Sequence, residues 1–283
     1  MSSATKAKLR VFRGNSEGGE LKDYEVETYT GMVVLDAVHE IQAKEAPEMA
    51  VRWNCKAGRC GSCSAEVNGK PRLMCMTRMS HFPDNEPIVV TPMKAFPIIK
   101  DLVTDVSWNY KVAKKIAPLK PRPRDADGTW RMQQYDIDRI QEFRKCIECF
   151  MCQDVCHVIR DHDKKEAFAG PRFMIHLAGL DMHPLDTLDR RPLIKEEFGV
   201  GLCNITKCCT EVCPEHITIT DNAIIPLKER VADDYFDPVR WLLRKVRGEL
   251  PQKPPATVPV HKTPLPLASA PTSDKASSDT PAE

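Results

Sequence analysis

Three observations predict an α+β protein, with a strand-rich domain over residues 1–108 and an all-α domain over residues 109–248. Leu9-Arg10-Val11-Phe12-Arg13 and Tyr24-Glu25-Val26-Glu27-Thr28-Tyr29 alternate apolar and polar side chains, the period of a half-buried strand. From Ile137 onward the pattern is mostly helical, punctuated by Gly170-Pro171 and His183-Pro184. The 12 cysteines fall into three groups of four, one in the strand-rich part and two in the helical part. A chain of 283 residues has room for two ordinary domains. Residues 249–283, rich in Pro, Ser, Ala and Thr and without periodicity, read as a disordered tail.

In chain order, the two strands lead to Val33–Ile41, which carries its apolar residues at helical spacing. The next stretch is Arg52-Trp53-Asn54-Cys55-Lys56-Ala57-Gly58-Arg59-Cys60-Gly61-Ser62-Cys63. Cys55-x4-Cys60-x2-Cys63 is the plant-type ferredoxin spacing for a [2Fe–2S] cluster, with Cys75 as the distant fourth thiolate. That motif, set among strands and a helix, makes the first domain ferredoxin-like (β-grasp). Gly58 and Gly61 let the loop turn tightly and bring backbone N–H groups close to the sulfide, offsetting its negative charge. Asn68-Gly69 marks a hairpin between Ala65-Glu66-Val67 and Arg72-Leu73-Met74-Cys75. Pro92–Asp105 is expected to leave the domain as a linker. Pro118, Pro121 and Pro123 then make a stiff, basic, exposed segment.

The helical domain holds the run Cys146-x2-Cys149-x2-Cys152-x3-Cys156, the cubane-wrapping spacing of bacterial ferredoxins. In that design three thiolates bind one cluster and the fourth crosses to the other. The second run reads Cys203-x2-Thr206-x2-Cys209-x3-Cys213-Pro214, with Thr206 where a cysteine is expected. Crossing assigns Cys146, Cys149, Cys152 and Cys213 to a [4Fe–4S] cluster. It leaves Cys156, Cys203 and Cys209 for a three-thiolate site, read as [3Fe–4S] because a corner iron without a ligand is readily lost. Structural zinc is the competing reading, since paired C-x2-C elements also build tetrahedral sites. Zinc needs four donors per site and makes no use of the crossed pattern. Disulfides require an oxidising compartment, and no secretory signal is visible.

Several residues keep two readings. Cys208 is either an inert buried thiol or a ligand that rebuilds the second cluster as [4Fe–4S]. His157 either sits plainly beside Cys156 or hydrogen-bonds toward the second cluster and carries a proton. Phe173–Ala178 is an apolar helical stripe and reads as core. Phe236–Arg247 reads as a short helix with Pro238 in its first turn, placing Val239, Leu242, Leu243 and Val246 on one face and Arg240, Arg244, Lys245 and Arg247 on the other. That helix either meets a membrane surface or packs on the helical domain.

Composition limits the classes of function. Lys+Arg 41 against Asp+Glu 40 gives a net charge of +1, with no electrostatic argument for nucleic acid. No run reaches the roughly 20 apolar residues of a spanning helix, and residues 1–8 lack the apolar core of a signal peptide. These features imply a soluble or peripheral chain in the cytoplasm. No nucleotide-binding glycine fingerprint is present, so a flavin and its substrate belong on another chain.

The order of the cysteine groups, the short Cys63–Cys75 interval, the stretch Phe96-Pro97-Ile98-Ile99-Lys100-Asp101-Leu102-Val103 and Gly170-Pro171 together resemble the iron–sulfur subunit of succinate dehydrogenase and fumarate reductase. The resemblance spans about residues 8–248, and Cys208-Cys209 is similar to an actinobacterial type. It implies a flavoprotein partner that oxidises succinate at FAD, and electrons passing through [2Fe–2S], [4Fe–4S] and [3Fe–4S] to a quinone at a membrane-anchor subunit. It implies a peripheral position on the cytoplasmic face, with Cys55, Cys60, Cys63 and Cys75 toward the flavoprotein and Cys156, Cys203 and Cys209 toward the membrane. Many members carry proline after the cysteine at position 156, two tryptophans beyond it and histidine after the cysteine at 203. This chain has His157, Arg160, Asp161 and Asn204 there, so no quinone pocket is carried over. Fumarate reduction is the same parts run in reverse, and a soluble multi-cluster carrier is the reading from another class.

Overall fold

The computed structural model describes residues 5–83, 86–235 and 237–247. The tail expected to be disordered, residues 249–283, lies outside the described residues.

Strands β1 (Thr5–Asn15) and β2 (Gly18–Thr28) form a hairpin paired from Thr5↔Thr28 to Asn15↔Gly18. Helix α1 (Val34–Lys44) buries Val34, Leu35, Ala37, Val38 and Ile41 in the same core as Leu9, Val11 and Val26 of the hairpin. Strands β3 (Ser64–Val67) and β4 (Lys70–Leu73) turn through Asn68 (φ 49°) and Gly69 (φ 74°), the two left-handed residues of a tight hairpin. Strand β5 (Ile88–Thr91) runs parallel to β1 and antiparallel to β3.

The stretch expected to be a linker is instead divided between the two cores. Met93, Ala95 and Phe96 pack with the helical domain. Strands β6 (Ile98–Lys100) and β7 (Val103–Thr104) then return to the first sheet beside β1, giving the order β4-β3-β5-β1-β6-β7 with β2 on β1. Asp101 holds this return. Its buried carboxylate accepts the N–H groups of Gly14 and Ala50 and faces Arg13 Nε at 3.1 Å. A strand pair this short leaves no period-2 pattern to read.

The second domain is helical but built of small pieces: α2 (Ser107–Ala113), α3 (Gln134–Gln141), α4 (Met151–Asp154), α5 (His157–Arg160), α6 (Pro171–Asp181), α7 (Cys208–Glu211), α8 (Ile225–Tyr235) and α9 (Pro238–Arg247). Helix α6 carries the expected core stripe, with Phe173, Met174, Ile175, Leu177 and Ala178 buried. It starts at Pro171, after Gly170 at φ 89°. A Cβ at Gly170 would stand 1.9 Å from Gln153 Oε1. Gln153 is fully buried and donates through Nε2 to Ala169 O and Asn109 Oδ1, so this glycine makes room for a polar tie inside the core. The proline-rich segment is largely exposed, as expected, and is pinned by a bridge between Pro121 and Asp186.

Helix α9 begins at Pro238, but Val239, Leu242, Leu243 and Val246 are 47–78% exposed. Its apolar face is therefore not packed on the helical domain. No helix among the described residues is long and apolar enough to cross a membrane.

Candidate iron–sulfur centres

The first cysteine group surrounds the turn between α1 and β3. Left-handed residues at Lys56 (φ 53°), Gly58 (φ 69°) and Gly61 (φ 67°) curl the loop, and backbone N–H groups point at sulfur. Ala57 and Arg59 N–H donate to Cys55 Sγ at 3.4 and 3.3 Å, and Cys55 N–H donates to Cys60 Sγ at 3.5 Å. Burial pushes the Cys60 thiol up, but hydrogen bonds from Ser62 and Cys55 outweigh it and bring it down to about 7. Burial pushes Cys63 up to about 12, with Cys75 and Cys60 in its field. The β3–β4 hairpin pairs Ser64 with Leu73 and so brings Cys63 to Cys75.

The second group joins distant parts of the chain. Cys146, Cys149, Cys152 and Cys213 line one cavity, with Phe150 and Ile217 among its apolar walls. Burial pushes Cys146 up and Cys149 up to about 12, and the buried Cys152 well above a free thiol. Neutral buried thiols of this kind bind metal by releasing their protons, and a cationic iron core offsets the burial cost of the thiolates.

The two runs fold alike at a constant offset. Glu148 (φ 56°) and Phe150 (φ 60°) bracket Cys149, and α4 follows; Ile205 (φ 62°) and Lys207 (φ 64°) bracket Thr206, and α7 follows. Thr206 thus stands where Cys149 stands in the first run. Around the second run, burial pushes Cys156 up to about 12 and Cys209 up to about 11, and Cys208 and Cys203 raise both further. Cys208 is half-buried rather than enclosed. Its Sγ lies 3.4 Å from Val155 O and 3.3 Å from Thr206 Oγ1. His157 Nε2 lies 2.6 Å from Asn204 Nδ2, joining the residues next to Cys156 and Cys203.

All 12 cysteines are free of disulfides. Among the described residues no group of three or more His, Cys, Asp and Glu side chains is drawn in around a single ion position. Each donor set is thiol alone, the soft-ligand chemistry that iron–sulfur cores take.

Sequence reasoning missed how the domains meet. Gly61 lies against Cys149, so close that an added Cβ would meet its Cα at 2.6 Å. The fully buried Glu66 of β3 also reaches across to the helical domain, facing Arg160 Nη1 at 3.1 Å, and faces Lys94 Nζ at 3.2 Å. Asp154 is buried next to Glu66 and accepts the Ala95 N–H; burial pushes its carboxyl up to about 7. The one available signal was Arg160 itself, a cation four residues after Cys156 in an otherwise cysteine-rich, apolar stretch.

Known proteins carry the same pattern. Residues 8–111 match the 2Fe-2S iron-sulfur cluster binding domain model, and residues 142–217 match the 4Fe-4S dicluster domain model. An uncharacterized iron-sulfur protein of Methanococcus maripaludis is 33% identical over 215 residues, 72% of this chain but 40% of that protein. The chain thus spans well under half of that relative. The fumarate reductase iron-sulfur subunit of Mycobacterium tuberculosis is 30% identical over 203 residues, covering 69% of this chain and 79% of that one. A chain of the Mycobacterium smegmatis Sdh1 complex in the apo form is 63% identical, superposes with a TM-score of 0.81, and is matched over 84% of this chain and 100% of its own. With both cysteine-bearing domains in the same order, the chain belongs to the family of succinate dehydrogenase and fumarate reductase iron–sulfur subunits.

Proposed function

We propose that this chain is the electron-relay subunit of a membrane-bound succinate dehydrogenase. It docks a flavoprotein, takes electrons from succinate oxidation at that partner's FAD, and passes them to menaquinone at a membrane-anchor subunit. In this reading residues 1–108 hold [2Fe–2S] through Cys55, Cys60, Cys63 and Cys75. Residues 109–248 hold [4Fe–4S] through Cys146, Cys149, Cys152 and Cys213, and [3Fe–4S] through Cys156, Cys203 and Cys209. When bound, the clusters supply one-electron carriers. The chain's own residues hold the two domains together: the Glu66–Arg160 pair clamps them, and Gly61 lets the first loop touch the second ligand set. No part of this chain is assigned to substrate. The chain sits peripherally on the cytoplasmic face of the membrane.

The observation that carries the proposal is the contact of Gly61 with Cys149, which makes the cysteine groups of two domains neighbours. The complex is tested by purification through this chain. A flavoprotein and an apolar anchor protein are expected with it, and succinate-driven menaquinone reduction should exceed menaquinol-driven fumarate reduction. The reverse ratio assigns fumarate reduction instead. Isolation of the chain alone with all clusters leaves only a soluble carrier.

A further inference from the structure

We propose that Cys208 is a reserve ligand that captures a fourth iron at the second helical-domain site, converting it reversibly between three-iron and four-iron forms. This rests on the reading of Cys156, Cys203 and Cys209 as the three-iron ligands. Cys208 is not needed by any ligand set in that reading, yet it is not remote. Its Sγ touches Val155 O, the carbonyl that leads into Cys156, and the hydroxyl of Thr206, the residue standing where the missing ligand belongs. The thiol is therefore beside the vacant corner rather than on the far side of its helix.

Access and chemistry agree with this. Asn204, Ile205, Thr206 and Lys207 are exposed on the chain by itself, so the site lies at the chain's surface rather than sealed in its core. Thr206 offers a neutral hydroxyl, a poor ligand for iron in a sulfide core. Cys208 offers a soft thiolate. In the capture step, the one-electron-reduced [3Fe–4S] core of charge zero takes up Fe2+, and Cys208 binds that iron through sulfur and gives its proton to solvent. The product is a [4Fe–4S] core of charge 2+, and no electron moves in the step. An outer-sphere oxidant such as ferricyanide reverses it: one electron leaves, Fe2+ departs, Cys208 regains a proton, and the core remains as [3Fe–4S] of charge 1+.

The test uses the whole complex, wild type against Cys208→Ser and Thr206→Ala, reduced anaerobically with dithionite and given isotopically enriched ferrous iron. The electron-spin resonance signals of the other two clusters establish that each variant is folded and loaded. Wild type and Thr206→Ala should incorporate the added iron into a four-iron Mössbauer spectrum, and Cys208→Ser should not. No uptake by wild type, equal uptake by Cys208→Ser, or uptake that depends on Thr206 instead of Cys208 overturns the proposal. Absence of any three-iron signal from the oxidised wild type fails the underlying cluster reading instead, and is seen before iron is added.

Discussion

Gly61 and Cys149 meet backbone to backbone: a Cβ on Gly61 would stand 2.6 Å from Cys149 Cα and 2.9 Å from its N. The residue also sits at φ 67°, where a side chain costs about 1–2 kcal/mol of backbone strain. Gly61→Ala is therefore expected to push the first cysteine loop off the second ligand set and slow electron transfer between the first two clusters. Gly58→Ala is the matched control. Gly58 has nearly the same φ, 69°, but its added Cβ meets only the flexible Met76 side chain at 3.0 Å. Stopped-flow reduction of the four-iron centre by succinate should slow in the first variant much more than in the second. Equal rates would mean that the close approach does not set the relay.

Cys213 lines the same cavity as Cys146, Cys149 and Cys152 although it comes from the second run. Cys213→Ser should therefore diminish the four-iron resonance first. Selective loss of the three-iron signal would assign Cys213 to the other site. Because these thiols join two chain segments, chelating the iron should also loosen the helical domain, read as a lowered thermal midpoint.

The cysteine spacing made the gathering of Cys146, Cys149, Cys152 and Cys213 around one cavity legible, because such thiols recur in sequence at short fixed intervals. The core stripe Phe173–Ala178 was legible for the same reason, as a helix repeats every few residues. What was not legible depends on long-range packing. Asp101 caps a return of the chain to the first sheet, and Glu66 finds its partner Arg160 in the other domain. Neither leaves a periodic trace. Short pieces such as α4 and α7 were also invisible as helices, since one turn carries no amphipathic period.

Thr206 and Cys149 occupy equivalent places, each between two left-handed residues. Thr206→Cys should therefore supply a fourth thiolate with little change of backbone. The expected result is loss of the three-iron resonance, conversion of the site to [4Fe–4S], and a lower potential in a redox titration. A full-strength three-iron signal in the loaded variant would show that position 206 does not face the cluster's open corner.

Glu142 ties the turn before Cys146 to the segment after Cys213. Its carboxylate accepts the Thr218 N–H and an N–H of Asn222. Burial pushes its pKa up, but these hydrogen bonds outweigh it and hold the group below the usual Glu range. A carboxyl lowered on folding adds stability above its unfolded pKa and loses it as pH falls through the folded one. Glu142→Gln should thus cost about 1 kcal/mol at neutral pH, discounted for partial exposure. The difference from wild type should shrink in acid. A thermal-midpoint difference that stays constant from neutral pH into acid would show that the charge at Glu142 is not what matters.

Helix α9 leaves Val239, Leu242, Leu243 and Val246 in solvent, with Lys245 also exposed. An unpacked apolar face of four residues is costly in water unless something covers it. Its sequence alternates this face with Arg240, Arg244 and Arg247, the composition of a helix that lies in an anionic lipid interface. Each basic residue near such a surface contributes about 1 kcal/mol. Replacing the three arginines with Gln should therefore release the complex, or the chain alone, from anionic vesicles at low salt. Raising salt should narrow the gap from wild type, because it screens the same attraction. Leu242→Asn with Leu243→Asn should weaken binding at both salt concentrations, since burial of apolar area does not depend on ionic strength. Wild-type vesicle binding by both variants, with cluster signals intact, would show that the exposed face of α9 meets protein rather than lipid.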